Sequence, residues 1–189
     1  YTQYVPLQKL CLKILSHERL RYGHDKDEIY GILFDVSWLW EEYLSTLLAP
    51  LGFKHPDNRQ NTGGVWLGYS LIENKRRNAF LRYPDFYDKK RSIILDAKYK
   101  SQIDYVADVN QVITYLYRMK GRIGMFVQPT PDENEPKSYS LRGYGEDGDA
   151  RLIEYPFQIP ASVSSFEDFE RKIRLSETAL KEQIEILHP

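Results

Sequence analysis

The chain has 189 residues, 42% of them hydrophobic and 28% charged, with a formal net charge of −1. That length can bury a core of its own, and the composition excludes a disordered segment or a coiled rod. A single cysteine, Cys11, excludes intrachain disulfides and a Cys-rich zinc site, and the four His residues (His17, His24, His55, His188) show no ligand spacing.

No stretch approaches about 18 uninterrupted apolar residues, so no membrane-spanning helix is expected. The start, Tyr1-Thr2-Gln3-Tyr4, lacks the basic and apolar regions of a signal peptide. Together with the lone cysteine this predicts a reducing, cytoplasmic home. The start also lacks Met, so the expectation is the C-terminal part of a longer chain.

In chain order, Leu7, Leu10, Cys11, Ile14 and Leu15 predict an amphipathic helix over about 7–20, broken at Arg21-Tyr22-Gly23-His24-Asp25. Ser37 is expected to cap a second helix through Leu48, stopped by Ala49-Pro50 and Gly52. Its wide stripe of Leu39, Trp40, Tyr43, Leu44, Leu47 and Leu48 should pack into the core. Residues 54–64 read as loop. Phe80–Asp88 and Ser92–Lys100 read as two strands joined by a Lys89-Lys90-Arg91 turn. Alternation sends Ile93, Leu95, Ala97 and Tyr99 to one face and Ile94, Asp96 and Lys98 to the other.

A helix is predicted over Val106–Met119, closed by Gly121, then a strand over Arg122–Gln128. Ser138–Tyr144 and Arg151–Ile159 read as peripheral strands, and Ser164-x-x-Glu167 as a capping box opening the last helix. That helix carries a stripe of Phe166, Phe169, Ile173, Leu180, Ile184 and Leu187. The expected class is α/β (α+β): one domain over 1–189, a mixed central β-sheet flanked by helices, with 160–189 as a C-terminal helical extension.

Charge is unevenly spread. Lys75–Lys100 holds nine Lys or Arg against three Asp, a local balance of +6, whereas Thr130–Asp149 holds six acids against two bases. A basic block suits a face turned toward phosphate; it also suits a solvated hairpin surface. Within it lie Pro84-Asp85 and Asp96-Ala97-Lys98. Asp96 and Lys98 project from one strand face, and Asp85 can reach the same place across the hairpin. Two carboxylates about 4 Å apart repel by about 4 kcal/mol at an effective dielectric of 20, so such a pair shares a proton or holds a cation. Hard oxygen ligands suit Mg²⁺, and a neighbouring lysine can position or help deprotonate an attacking water.

A structural ion pair of Asp96 with Lys98 or Arg82 is the plainer alternative. Glu41, on a mostly apolar helix, could reach the metal, its neighbour Glu42 being the solvated member of the pair. Gln111 and Tyr115, four apart on a helix, share a face and could orient the lysine or bind phosphate.

The succession Glu41, Pro84-Asp85, Asp96-Ala97-Lys98 and Gln111-x-x-x-Tyr115 resembles the PD-(D/E)XK nuclease superfamily. Leu39-Trp40-Glu41, Arg82-Tyr83-Pro84-Asp85, Ile94-Leu95-Asp96-Ala97-Lys98-Tyr99-Lys100 and Asp108-x-x-Gln111-x-x-x-Tyr115 look more narrowly like the nuclease domain of McrC, the cleavage subunit of McrBC-type restriction systems. LlaJI-like relatives share the pattern. The resemblance covers about residues 7–128. Such sequences usually carry Leu-Phe-Glu and Asp-Thr-Lys where this chain has Leu-Trp-Glu and Asp-Ala-Lys; the charged groups are spared.

The resemblance implies a restriction-endonuclease-like core and an Mg²⁺-dependent DNA endonuclease, with Mn²⁺ able to substitute. It implies that Asp85, Asp96 and the Ala97 carbonyl bind the metal, that Glu41 completes or supports the set, and that Lys98 acts on the water. The implied partner is an AAA+ GTPase of the McrB type. Gln111, Tyr115, Lys75, Arg76, Arg77, Arg82 and Lys100 are the expected DNA-binding or supporting residues, with Lys89-Lys90-Arg91 also placed at phosphate. The alternatives are a catalytically silent nuclease-like module for DNA binding or assembly, and a nuclease acting on RNA or branched DNA.

Overall fold

In the computed structural model the described residues are 35–187, apart from 58–59, 73–74, 101 and 144–148. The helix predicted over 7–20 and its break, Cys11, His17, His24 and His188 lie outside them, as does Tyr144 at the end of a predicted strand.

Helix α1 (Val36–Leu48) starts one residue earlier than expected, so Ser37 sits inside its first turn. The position before the helix belongs to Asp35, an equally good capping type. Trp40, Leu44, Leu47 and Leu48 are buried; full burial of a leucine such as Leu44 or Leu48 contributes about 1.5–3 kcal/mol. A 3₁₀ turn at Ala49–Leu51 ends at Gly52, whose φ of 94° is the left-handed region that glycine enters without strain.

Strands β1 (Val65–Ile72) and β2 (Lys75–Arg82) form a two-stranded antiparallel ribbon that is a sheet of its own. The expected strand Phe80–Asp88 is therefore divided. Pro84, with no N–H to give a ladder, separates β2 from β3 (Phe86–Asp88). Hairpin pairing of β3 with β4 (Ile93–Ala97) is as predicted, and the lysine-rich turn between them is pinned from inside. Asp88 accepts the Lys90 N–H at 2.8 Å and the Arg91 guanidinium at 2.5 Å, while Arg91 also donates to the Leu51 carbonyl. Arg91, placed at phosphate with Lys89 and Lys90 by the sequence expectation, thus also has a structural part in this turn.

Helix α2 (Ala107–Met119) ends at Lys120, which takes the left-handed conformation expected of Gly121. Gly121 serves close packing instead: a Cβ there would lie 2.9 Å from Leu116. Strand β5 (Ile123–Thr130) runs past its predicted end and includes Pro129. Pro129 shares the parity of Val127, whose carbonyl faces the β4 side, and β4 stops at the Ala97–Val127 pair, so no ladder bond is lost.

Strand β6 (Lys137–Leu141) pairs antiparallel with β7 (Ala150–Gln158), and β7 pairs parallel with β5. β7 is therefore internal, not peripheral, and only β6 forms that edge. Helix α3 (Phe166–Ile186) is capped by Ser165, which accepts the Asp168 N–H, one residue later than the predicted capping box. Ser164 instead donates its N–H to the Asp168 carboxylate.

The order β3-β4-β5-β7-β6 gives a mixed five-stranded sheet flanked by helices, the arrangement of a restriction-endonuclease-like α/β core. From Val36 on, the described residues form one compact unit. On one face Ile93, Leu95, Ile123, Met125, Val127, Ile153 and Phe157 pack with residues of α1 and α3. On the other, Ile94, Phe126 and Leu152 pack with Val112, Tyr115 and Leu116 of α2. Gly124 lets α2 approach β5, since a Cβ would fall 2.4 Å from Val112. Covered on both faces, β4 reads as a continuous apolar run, Ile93-Ile94-Leu95, interrupted by Asp96. No helix among the described residues is long and apolar enough to cross a membrane.

Candidate functional site

The chain leaves β2 at Arg82, and Tyr83-Pro84-Asp85 carries it to β3. Asp85 precedes the ladder, and its carboxylate continues it: Oδ2 accepts the Ala97 N–H at 2.8 Å, at the last residue of β4. Asp96 lies one residue back on that strand, 1% exposed, on the face that holds Ile94 and α2. Lys98 follows the strand, its N–H held by the Val127 carbonyl at 3.0 Å.

The Lys98 ammonium lies 2.5 Å from Asp96 Oδ2 and 3.2 Å from Asp108 Oδ1, and donates to Gln111 Oε1 at 3.4 Å. The contact with Asp96 has the distance of an ion pair without the angles of a hydrogen bond, and Asp96 Oδ1 has no hydrogen-bond partner at all. A buried carboxylate oxygen with no donor is costly unless a cation or proton meets it.

Burial, before any other cause, pushes both carboxyl groups up from the ordinary 3.8. Asp85 rises to about 7, with the Glu41 charge adding and the Ala97 N–H and Lys98 opposing. Asp96 rises to about 7, with Asp85 adding and Lys98 opposing. Burial alone lowers Lys98, but Asp96 and Asp108 outweigh it, and the ammonium is held above the usual lysine range. Asp108 goes the other way: despite its burial, hydrogen bonds from Lys100 and the Asp104 N–H, and the charge of Lys98, draw it down. The result is a proton-poised carboxylate pair beside a firmly charged lysine.

The structure brings Asp85, Asp96, Lys98 and Gln111 together, and Glu41 near enough for its charge to act on Asp85. Glu41 is half-buried on α1, whereas Glu42 is exposed, its carboxylate 4.0 Å from His55. Tyr115 is buried on α2 and donates to the Tyr83 carbonyl at 3.2 Å, tying the Asp85 segment to the helix. Burial raises its pKa, and the Asp85 and Asp96 charges add to the rise. Arg82 acts on the same hydroxyl. Lys100 is ion-paired with Asp108. Lys75, Arg76 and Arg77 are not part of this cluster; they lie on the outer half of the ribbon, roughly 20 Å of strand from Arg82.

Three residues of the site carried no assigned role from sequence. Asp108 anchors both Lys98 and Lys100; the motif Asp108-x-x-Gln111-x-x-x-Tyr115 includes it, but the sequence assigns it no task. His55 stacks on Phe86 and its Nδ1 lies 2.7 Å from the Asp85 carbonyl, a backbone partner that no spacing reveals. Trp40 donates its indole N–H to the Val127 carbonyl at 3.1 Å, fixing the helix that carries Glu41 to the strand beside Lys98.

Among the described residues no three His, Cys, Asp or Glu side chains gather into a ready metal cage. The donor set that does exist, the buried Asp96 with one oxygen unclaimed and the half-buried Asp85, fits a hard divalent ion completed by water and phosphate.

No curated protein matches the chain, and no solved structure matches it. A family model described as McrBC 5-methylcytosine restriction system component matches residues 1–128 of the 189, and the chain belongs to that family.

Proposed function

We propose that this restriction-system component is its nuclease, hydrolysing DNA phosphodiester bonds with Mg²⁺ at the Asp85–Asp96–Lys98 cluster. The observation that supports it most is Asp96, a carboxylate on a core strand with one oxygen unclaimed, a second carboxylate acting on it and a lysine against it. Asp85, Asp96 and the Ala97 carbonyl would hold the ion, with Glu41 close by, and Mn²⁺ would serve in its place. When bound, the ion supplies charge stabilisation at a phosphoryl oxygen and lowers the pKa of a water molecule.

The chain's own residues do the rest. Lys98 stays protonated between Asp96 and Asp108, so it acts as a charged donor that orients water or phosphate, not as a base. Gln111 and Asp108 fix its Nζ, and Tyr115 holds the segment that carries Asp85. The wider reading includes a cytoplasmic home and a partner AAA+ GTPase of the McrB type that licenses cleavage.

Calorimetric titration with Mg²⁺ and Mn²⁺, and nicking of plasmid with the partner GTPase present, test this. Asp85→Asn and Asp96→Asn are expected to lose both the binding heat and the cleavage. Lys98→Ala is expected to keep the heat and lose about 10²–10³-fold in rate. Wild type and Asp96→Asn giving the same trace would overturn the metal assignment and leave a DNA-binding or assembly module.

A further inference from the structure

We infer, resting on the DNA reading above, that the β1–β2 ribbon is an arm that lies in a groove of duplex DNA, with Arg76, Arg77 and Lys75 on phosphate and Tyr69 and Phe80 against sugar or base.

Among the described residues the ribbon joins no larger sheet, and its eight-residue strands make it about 26 Å long. Its second strand has no buried residue, so packing does not explain its side chains. Even so, Tyr69 is 50% exposed, Leu71 72% and Phe80 67%. Between Val65 and Arg82 four cations face the single acid Glu73, a balance of +3 in a chain of net charge −1.

Cation and aromatic are interleaved: the Arg76 guanidinium sits 4.8 Å over the Tyr69 ring. Phe80 adds strain. Its φ of 61° is left-handed backbone that a bulky residue rarely adopts, and its ring, two-thirds exposed, covers Gly68 across the ribbon, so little burial offsets the cost. Strain kept at an exposed aromatic on a basic ribbon fits a contact made with a partner.

The base of the ribbon is fixed. Arg118 of α2 donates to the Trp66 carbonyl at 2.5 Å, and Gly64 packs so closely on Tyr83 that a Cβ would lie 2.7 Å from the ring. A two-stranded ribbon fits the major groove of B-form DNA, about 12 Å wide, and exposed apolar side chains can wedge against base steps. The deep, narrow major groove of duplex RNA does not admit one.

Fluorescence anisotropy of a labelled duplex of about 30 base pairs, with the 189-residue chain in EDTA over about 50–200 mM salt, reads the grip without cleavage. Replacing Lys75, Arg76 and Arg77 together by Gln is expected to weaken binding at least about tenfold and to lower the slope of log affinity against log salt by about 2–3. Phe80→Gly is expected to weaken binding several-fold while the melting temperature holds or rises, because the strain is gone. Wild-type affinity in either variant, no duplex binding by the wild type at low salt, or equal competition by duplex RNA would overturn the assignment. EDTA separates the two claims: a ribbon-dependent grip with no cleavage in Mg²⁺ and the partner GTPase sinks only the nuclease, and cleavage with indifferent ribbon variants sinks only the arm.

Discussion

A carboxylate closing the run Ile93-Ile94-Leu95 is legible in the sequence because it interrupts an apolar stretch, and the structure leaves one of its oxygens without a donor. The consequence appears in the pH dependence of stability. Asp85 and Asp96 have folded pKa values near 7 against 3.8 when exposed, so the folded protein holds protons that the unfolded chain has released. Their stabilisation is complete below about pH 4 and lost as pH rises through about 7. In EDTA the melting temperature should therefore fall between pH 5 and 8, and Asp96→Asn should flatten that fall; a wild-type profile unchanged by the substitution would contradict the burial of a titrating pair. Mg²⁺ at pH 8 should restore the lost stability, since binding replaces the proton.

Asp108→Asn removes one of the two acids that hold Lys98 charged. A drop of about 10–100-fold in cleavage with the metal heat retained is expected. The role of Asp108, and His55 altogether, are not legible in the sequence because their partners are a lysine and a backbone carbonyl brought near only by the fold.

Elements with a buried face were read well, and those without one were not. Helices α1 and α2 show apolar periodicity because each packs one face on the sheet, and β4 and β5 show apolar runs because both their faces are covered. Strand β1 and most of β2 went unread: a ribbon exposed on both faces needs no alternation, and Lys75-Arg76-Arg77-Asn78 shows none. The sequence places strand β7 at the periphery because it does not say which strand pairs with β5; the parallel register with β5 makes it internal. The close approach of α2 to β5 rests on Gly124 and gives a direct test. Gly124→Ala places a methyl 2.4 Å from Val112 Cγ1 and should cost about 1–3 kcal/mol in thermal denaturation, with the Lys98–Gln111 contact disturbed in the same variant. An unchanged melting temperature would show that the helix can step back freely.

At the scale of the whole molecule, the family match ends at Gln128, inside β5, but the core does not end there. Ile153, Phe157, Leu180 and Ile184 come from the remainder and close the face that α1 covers. A chain cut after Gln128 would leave β5 an open edge with its apolar face bare, and is expected to aggregate or stay unfolded by circular dichroism. A cooperative melt from that fragment would show that β7 and α3 are accessory. The ribbon and the carboxylates are likewise parts of one body. β2 delivers the main chain to Asp85 within three peptide bonds, and Tyr115 holds the middle of that link at Tyr83. A pull on the ribbon therefore arrives directly at the aspartate backbone, with one tyrosine hydroxyl as the tether that damps or transmits it.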